Sequence, residues 1–309
     1  MIYYGYSELK GALFMDYISV AEAAKRWGIS ERSVRNYCAL GRIEGAFLTG
    51  KTWNIPEIAT KPDRINKRDQ VPADLLSRLR AEKKAKLHGG IYHRIQIDLT
   101  YNSNHMEGSV LSHEQTRLIF ETKTIGGADE AIPVDDIIET VNHFRCFDMV
   151  LDRANHELSL ALFRELHGLL KAGTTDAGTS WFAVGGFKRL PNEVGGRATT
   201  PPEQVENALR DLLRQYNAIE HPSLEDIVAF HVAFERIHPF QDGNGRIGRL
   251  VMFKECLRCN IVPFVLADDM KFYYYRGLAQ WDEERGYLLG TCEAAQDRFQ
   301  ALLKYFRIG

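Results

Sequence analysis

The chain has 309 residues, enough for one large and one small domain, and its 45% hydrophobic and 26% charged residues are typical of a globular protein. No apolar stretch approaches the roughly 20 residues that span a bilayer, no basic segment followed by an apolar core marks a secretory signal, and the five cysteines lack the spacing of a disulfide framework. The formal net charge of -2 excludes a strongly basic or acidic protein, and we expect a cytoplasmic protein that does not contact a membrane.

After an N-terminal arm over 1–15, residues 16–60 carry the pattern of a small winged helix-turn-helix domain. Ser19 is placed to cap the helix VAEAAKRW, which Gly28 ends, and Ser30 is placed to cap ERSVRNYCAL, which Gly41 ends. Two short helices separated by a short turn are typical of a helix-turn-helix. The following IEGAFLTGKTWNIP predicts a hairpin, which would form the wing.

This domain resembles those of excisionase-like and MerR-like proteins, in which a hairpin of the type Gly-Lys-x-Trp-x-Ile-Pro is usual. The resemblance implies DNA contacts on the second helix from Arg32, Arg35 and Asn36. Residues 1–86 carry 16 basic and 10 acidic residues, but residues 16–60 carry only 6 and 5. Because phosphate contacts supply most non-specific affinity for DNA, a protein-docking role for this domain remains an equal alternative.

The stretch GAFLTGKT, residues 45–52, satisfies the sequence expression of a nucleotide-binding P-loop. A P-loop requires a helix that starts at the Lys-Thr pair, whereas TWNIP follows here and Pro56 bars a helix interior. We therefore reject that interpretation. Residues 61–88 then form a basic linker, with a predicted helix over LLSRLRAEKKAKL.

From residue 89 to 309 the helical period dominates, and we predict one mainly α domain with a single β-hairpin over 180–200. In EDIVAFHVAFERI the apolar residues form one stripe. This helix leads into HPFQDGNG, a tight loop, and a second helix is expected to begin at Arg246. Ile247, Leu250, Val251 and Leu257 would be its buried face.

The loop concentrates residues suited to phosphate chemistry. Arg246 and Arg249 are expected in the first turn of the second helix, where the helix dipole disfavours cations unless an anion binds. Asp242 is a hard oxygen ligand for Mg²⁺, the usual companion of polyphosphates. His238 has a side chain suited to accepting a proton near neutral pH.

HPFQDGNGRIGR resembles the Fic motif, HPFx(D/E)GNGRxxR, at every specified position, and the resemblance extends over roughly 90–309. It implies a helical Fic fold that transfers AMP from ATP to a Ser, Thr or Tyr hydroxyl of a protein. His238 would be the general base, and Asp242 would hold Mg²⁺. The nucleotide phosphates would be bound by Gly243, Asn244, Gly245, Arg246 and Arg249.

WFAVGGF resembles the flap of this family, a β-hairpin that holds the protein target by strand addition. Val184, Gly185 and Gly186 would lie along the target and the nucleotide. SWFAV and the long FKRLPNEVGGRA tip depart from the common form, which leaves the identity of the target open. In KFYYYRGL, Tyr274 or Tyr275 would line the adenine pocket, although a core position is an equal alternative.

SNHMEG, with Ser103, Glu107 and Gly108, resembles the inhibitory motif (S/T)xxxE(G/N) of the family. The resemblance implies an inhibitory helix near 93–108, in which Glu107 pairs with Arg249 and prevents it from binding the γ-phosphate. Independently of the family, Gly108 suits a helix C-terminus, and SHEQ, residues 112–115, suits a capping box.

Three functions remain open from the sequence. The first is an autoinhibited AMP-transferring enzyme. The second is a DNA-binding or toxin-antitoxin-like regulator in which the Fic domain is secondary. The third is a Fic-type reaction that removes AMP or transfers another group. The sequence identifies neither the protein target, which includes the chain itself as a candidate, nor whether the chain forms a homo-oligomer.

Overall fold

The computed structural model describes residues 16–39, 41–62, 75–126 and 131–308. They fall into two compact units, one within residues 1–65 and the other within 66–309. The predicted N-terminal arm over 1–15 and most of the predicted linker before residue 75 lie outside the described residues. No helix in the described part of the chain is long and apolar enough to cross a membrane.

The first unit consists of two helices and a three-stranded antiparallel sheet. In chain order, its elements are β1 (Tyr17–Ile18), α1 (Val20–Trp27), α2 (Glu31–Ala39), β2 (Phe47–Thr49) and β3 (Thr52–Pro56). The sheet order is β1-β3-β2, and the turn between β2 and β3 pairs Thr49 with Thr52. Because a strand, rather than a helix, follows Lys51, the structure lacks the helix N-terminus that a P-loop would need there.

The predicted capping residues of α1 and α2 make the expected hydrogen bonds at the helix ends. Ser19 and Glu22 form a reciprocal capping box at the start of α1, and Gly28 ends the helix with a left-handed φ of 65°. The Ser30 hydroxyl accepts a hydrogen bond from the Ser33 amide at the start of α2. Ala23, Val34 and Ile55 are fully buried, and they join both helices to the sheet in one small core.

The second unit is almost entirely helical around one large hydrophobic core. Its main elements are α3 (Leu75–Ala85), α4 (Ile91–Met106), α5 (His113–Thr122), α6 (Val134–Asp152), α7 (Leu160–Leu170), β4 (Glu193–Val194), β5 (Arg197–Ala198), α8 (Val205–Asn217), α9 (Leu224–Ile237), α10 (Asn244–Arg258), α11 (Lys271–Ala279) and α12 (Gly286–Tyr305).

Helix α3 belongs to the core of this unit and not to a linker. Leu75 and Leu79 are fully buried, and Arg80 donates to the Leu151 carbonyl oxygen at 2.9 Å. Arg80 and Lys83 both donate to carbonyl oxygens of α6, so part of the basic composition that predicted a linker belongs to this packing. The helix itself was predicted, whereas its packing against α6 depends on residues more than 60 positions away.

Helix α10 is the centre of the second unit and packs against α4, α6, α7 and α9. The predicted apolar face of Ile247, Leu250, Val251 and Leu257 is buried. Lys254 and Glu255 are also fully buried, and their side chains form an ion pair of 2.7 Å. A helix surrounded by protein has no solvent face, so the expectation of a single buried stripe was too narrow.

The five cysteines form no disulfide in the described residues. All five are free thiols, and Cys256 is fully buried while its neighbour Cys259 is partly exposed. No group of three or more His, Cys, Asp or Glu side chains suited to holding a metal occurs in the described ranges.

Candidate functional site

The candidate site is built on the loop that joins α9 to α10. Helix α9 ends at Ile237 and is followed by His238, which has left-handed backbone angles (φ 49°, ψ 64°), and Gly243 precedes α10 with a φ of 82°. The side chain of Asn244 closes the loop, since its Oδ1 accepts from the Phe240 amide at 2.8 Å and its Nδ2 donates to the Phe240 carbonyl oxygen at 2.9 Å. The Phe240 ring is fully buried and stacks on His167 with a centroid distance of 4.2 Å.

His238 is mostly buried, and one of its ring nitrogens faces a backbone carbonyl. Its Nδ1 lies 3.3 Å from the Glu235 carbonyl oxygen, which can only accept a hydrogen bond, so Nδ1 carries the hydrogen and Nε2 is the basic nitrogen. Burial lowers the pKa of His238 to about 4; the Glu235 carbonyl raises this pKa, and the Lys188 charge lowers it. The imidazole is therefore neutral at physiological pH.

Asp242 and Arg246 are part of a closed ring of four charges. The Asp242 carboxylate accepts from Lys171 Nζ at 2.7 Å and from Arg246 at 3.0 Å. Glu139 of α6 binds both cations, with Oε1 toward Lys171 and Oε2 toward Arg246. Burial raises the pKa of Asp242, but the adjacent Arg246 and Lys171 charges outweigh it and hold that pKa far below its usual value.

Arg249 faces a different set of partners on α4. Its Nε donates to Ser103 Oγ at 3.0 Å, and its NH2 nitrogen donates to the Ser103 carbonyl oxygen at 2.9 Å and to Glu107 Oε1 at 2.6 Å. Burial raises the pKa of Glu107, yet the Arg249 charge and hydrogen bond reverse this effect and lower it below normal. The Glu107 carboxylate lies against Gly245, where any Cβ would collide with it.

The structure corrects the predicted placement of the two arginines. Helix α10 begins at Asn244 and not at Arg246, so Arg246 is its third residue and Arg249 its sixth, one turn further on. They do not converge on one point, because Arg246 pairs with Glu139 and Asp242 while Arg249 pairs with Glu107. Carboxylates of the protein thus supply anions to both arginines; the Glu107–Arg249 pair was expected from the resemblance, whereas the Glu139–Arg246 pair was not.

The end of α4 agrees with both interpretations of SNHMEG, as a helix C-terminus and as a motif whose glutamate contacts Arg249. Helix α4 ends at Met106, and Gly108 follows with a φ of 99°, as expected of a glycine after a helix C-terminus. Ser112 and Gln115 form the predicted capping box of α5. These local signals place Glu107 at the helix end, and its side chain turns toward Arg249.

A hairpin does lie within the predicted range of 180–200, but it is much shorter than expected. The paired strands are β4 and β5, at 193–194 and 197–198, whereas residues 181–187 contain no strand. Gly185 has a φ of 71°, and its amide donates to His167 Nδ1 at 2.9 Å, so this backbone is bonded to α7 and not to a partner strand. Val184 is 39% exposed, and the Gly186 amide donates to the Ala183 carbonyl oxygen at 2.9 Å.

The two tyrosines predicted at the adenine end differ in environment. Tyr274 is 1% exposed, and its hydroxyl lies 2.7 Å from His231 Nε2, so it belongs to the core. Tyr275 is 39% exposed and donates to the Met106 carbonyl oxygen at 3.3 Å, at the end of α4. Of the pair, Tyr275 has the accessible ring.

Four functional candidates were missed by sequence reasoning. Glu139 and Lys171 complete the charged ring, and neither has a local motif; a lysine at the C-terminus of a helix is ordinary. Glu235 lies three residues before His238, with its Oε2 3.9 Å from His238 Nδ1, and burial raises its pKa to about 8. In the sequence, only its position three residues before His238 could have identified Glu235. Lys188 joins residues 181–200 to the loop, with its amide donating to the Pro239 carbonyl oxygen at 2.8 Å.

The side chains around Asp242 fit a metal ion that arrives with a nucleotide, and they do not fit a metal cage made by the protein alone. The Asp242 side chain is 45% exposed and offers one carboxylate toward solvent. Mg²⁺ is commonly held by one or two carboxylates together with substrate phosphates and water. Asp242 would hold such an ion, and Glu139 is already engaged by two cations.

Comparison with known proteins places this site in a family context. Residues 157–256 match the model of the Fic/DOC family, and they include the whole loop and its flanking helices. A Nematostella vectensis relative, "Protein adenylyltransferase Fic", is 28% identical over 228 residues, 71% of this chain and 49% of that protein. The Caenorhabditis briggsae "Protein adenylyltransferase fic-1" is 28% identical over 187 residues, 58% of this chain and 35% of that protein. The chain thus spans about a third to a half of these relatives.

Solved structures share the fold. A Fic domain containing signaling protein from Bacteroides thetaiotaomicron has a TM-score of 0.59 and 23% identity, over 74% of this chain and 94% of that one. A Fic family protein from Desulfovibrio desulfuricans has a TM-score of 0.57 and 21% identity, over 80% and 75%. The chain therefore has the fold of Fic-domain proteins.

Proposed function

We propose that the protein is a nucleotidyltransferase that transfers AMP from ATP to a Ser, Thr or Tyr hydroxyl of a protein. The observation that carries this proposal is the arrangement of His238, Asp242, Arg246 and Arg249 around the N-terminus of α10. It combines a neutral imidazole, a carboxylate for a metal ion and two guanidinium groups beside the first turn of a helix. Its relatives named protein adenylyltransferases support the same activity.

In the proposed reaction His238 Nε2 takes the proton of the target hydroxyl, whose oxygen attacks the α-phosphorus of ATP. The bond to the β-phosphate oxygen breaks, and the products are AMP-protein and pyrophosphate. Gly243, Asn244 and Gly245 would offer backbone N–H groups to the phosphates, and Arg246 and Arg249 would stabilise the leaving charge. Mg²⁺, when bound, would neutralise phosphate charge beside Asp242.

Autoinhibition through Glu107 is the second part of the proposal. Arg249 is 5% exposed and is held by Ser103 and Glu107, so it cannot bind a phosphate without leaving Glu107. The Glu107 carboxylate also lies over Gly245 at the start of α10, where the backbone N–H groups would receive phosphate oxygens. Glu107 therefore excludes an anion by both charge and position.

Replacement of Glu107 by glycine tests the activity and the inhibition together. We expect Glu107→Gly to incorporate AMP from α-labelled ATP, on itself or on a protein target, about tenfold faster or more than wild type, because a hydrogen bond to a charged group of about 1.5–3 kcal/mol is removed. Label from γ-labelled ATP should leave as pyrophosphate. The quantity to measure is label on protein after denaturing gel electrophoresis.

The Glu107→Gly/His238→Ala double variant is the control for this experiment and should incorporate nothing. Transfer of the γ-label to protein would contradict AMP transfer. Equal α-label incorporation by Glu107→Gly and wild type would contradict inhibition by Glu107. Release of AMP from premodified protein by wild type but not by Glu107→Gly would favour the AMP-removing reaction, in which Glu107 aligns a water molecule.

The protein target would lie along residues 181–187. Val184, Gly185 and Gly186 are close to the loop through Gly185 and His167, and Trp181 is 43% exposed there. Because this stretch has no strand of its own, strand addition would require it to extend when the target binds. Tyr275 would face the adenine base, since its ring is partly exposed next to Glu107 and Arg249.

A second candidate function, DNA binding by the first unit, is supported by its two-helix and hairpin arrangement. Arg35 on α2 is 57% exposed at its side chain but pairs with Glu31 at 2.6 Å, and Arg32 and Asn36 are partly buried. A gel shift that weakens steeply with salt is expected for phosphate contacts by the full chain. A shift that is independent of salt, or no shift, would favour protein docking. An Arg32→Ala/Arg35→Ala variant that weakens the shift would assign it to α2.

A further inference from the structure

Lys171 has an unusual position at the candidate site. It follows α7 directly and its side chain is 4% exposed, with Nζ bonded to both Glu139 and Asp242. A lysine amine rarely becomes so buried unless carboxylates surround it. Here, one of those carboxylates is the residue proposed to hold the metal ion of the nucleotide.

The four charges of the ring balance one another. Glu139 is mostly buried at 14% exposure and binds one cation with each carboxylate oxygen, so it fixes both Lys171 and Arg246. Asp242 is 45% exposed and uses a single oxygen, Oδ2, for both cations. Within the ring itself, the two acidic side chains are matched by two basic ones, which weakens its attraction for a divalent cation from solvent.

A divalent ion at Asp242 would therefore compete with the Lys171 ammonium. The ammonium lies 2.7 Å from Asp242 Oδ2, close to where a cation bound to the same carboxylate would lie, and the two positive charges would repel each other. Lys171 has an alternative ion-pair partner, because Asp176 Oδ2 is only 3.7 Å from its Nζ and the Asp176 side chain is 41% exposed. Arg246 has no such freedom, since it is bonded on both sides.

We propose that the Lys171 ammonium is a resident cation at Asp242, which a divalent metal must displace, so that Lys171 weakens metal binding in the absence of nucleotide. This inference rests on the proposed metal-binding role of Asp242. It assigns Lys171 to control of metal occupancy. Lys171 is a positioning residue and not part of the bond-making machinery.

Binding of Mn²⁺ alone, followed by the electron paramagnetic resonance signal of free Mn²⁺, tests this proposal without any need for transfer activity. Lys171→Met removes the ammonium but keeps the length of the side chain, and we expect it to bind Mn²⁺ about tenfold more tightly than wild type. Lys171→Arg, which keeps the charge, should bind like wild type. Lys304→Met, at an exposed residue of α12, is the control for loss of a lysine.

The Lys171→Met/Asp242→Asn double variant tests whether the Mn²⁺ binds at Asp242. In this variant, the gain in Mn²⁺ affinity should disappear. Equal Mn²⁺ affinity in wild type and Lys171→Met would overturn the proposal, and so would a gain that persists in the double variant. If no AMP transfer is detected in any variant, the Mn²⁺ result still stands, so failure of the proposed function and failure of this inference are separable.

A measurement on the unmodified protein covers the case in which Lys171→Met does not fold. Acetylation of lysines by an N-hydroxysuccinimide ester, followed by mass spectrometry, reports whether Nζ of Lys171 is engaged. We expect slow labelling in EDTA and at least about fivefold faster labelling with saturating Mn²⁺, because the displaced amine turns toward solvent. Unchanged labelling of Lys171 under saturating Mn²⁺ would overturn the proposal.

Discussion

The two arginines of α10 are held in two different ways, although both are buried and paired with carboxylates. Arg246 is enclosed in a ring with Glu139, Asp242 and Lys171, and its main partner Glu139 is 14% exposed. Arg249 is held by residues of one helix end, and its carboxylate partner Glu107 is 29% exposed. The first arrangement supports the fold as well as the site, whereas the second can open without leaving several charges unpaired.

The largest expected effect is on thermal stability, when the glutamate that pairs with each arginine is replaced by glutamine. Glu139→Gln leaves Lys171 and Arg246 buried with one shared carboxylate, a loss of about 3 kcal/mol or more that lowers Tm by roughly 6–12 °C. Glu107→Gln loses one partly solvated pair and should lower Tm by less than about 4 °C. Thermal unfolding followed by circular dichroism measures both. A larger decrease in Tm for Glu107→Gln than for Glu139→Gln would contradict this difference between the two arginines.

A smaller effect is expected from Ser103→Ala, which removes one hydrogen bond from Arg249 but leaves Glu107 in place. The lost bond is worth about 1 kcal/mol, so we expect AMP incorporation to rise by about fivefold at most, below the increase in Glu107→Gly. The α-label assay measures it. Ser109→Ala, at a serine with no bond to Arg249, is the control and should resemble wild type. Incorporation by Ser103→Ala that equals Glu107→Gly would show that Ser103, and not the carboxylate, holds Arg249.

Local sequence signals predicted the parts of the site that depend on neighbouring residues. The helix-loop-helix around His238, the capping box at Ser112 and the glycine after α4 are each specified within about five residues. The burial of Phe240 was also predictable, because an aromatic residue in a tight interhelical loop needs a core to pack against.

The parts that sequence reasoning missed depend on distant packing. Glu139 lies 107 residues before Arg246, and Lys171 lies 71 residues before Asp242, so no spacing rule connects them. Residues 181–187, which resemble the flap, contain no strand, and the Gly185 amide bonds instead to His167, 18 residues earlier in the chain. The start of α10 was placed two residues late because Asn244 and Gly245 are poor helix formers that tertiary contacts hold in the helix.

The paired hydrogen bonds between Asn244 and Phe240 have a consequence for how the site accepts a ligand. They close the loop through side-chain and backbone groups of the protein alone, with the Phe240 ring fixed against His167. A loop already held in one conformation loses little further conformational entropy when a nucleotide arrives. Binding of the nucleotide then requires the Glu107 and Lys171 side chains to rearrange, while the backbone from His238 to Gly245 stays as rigid as the core beneath it.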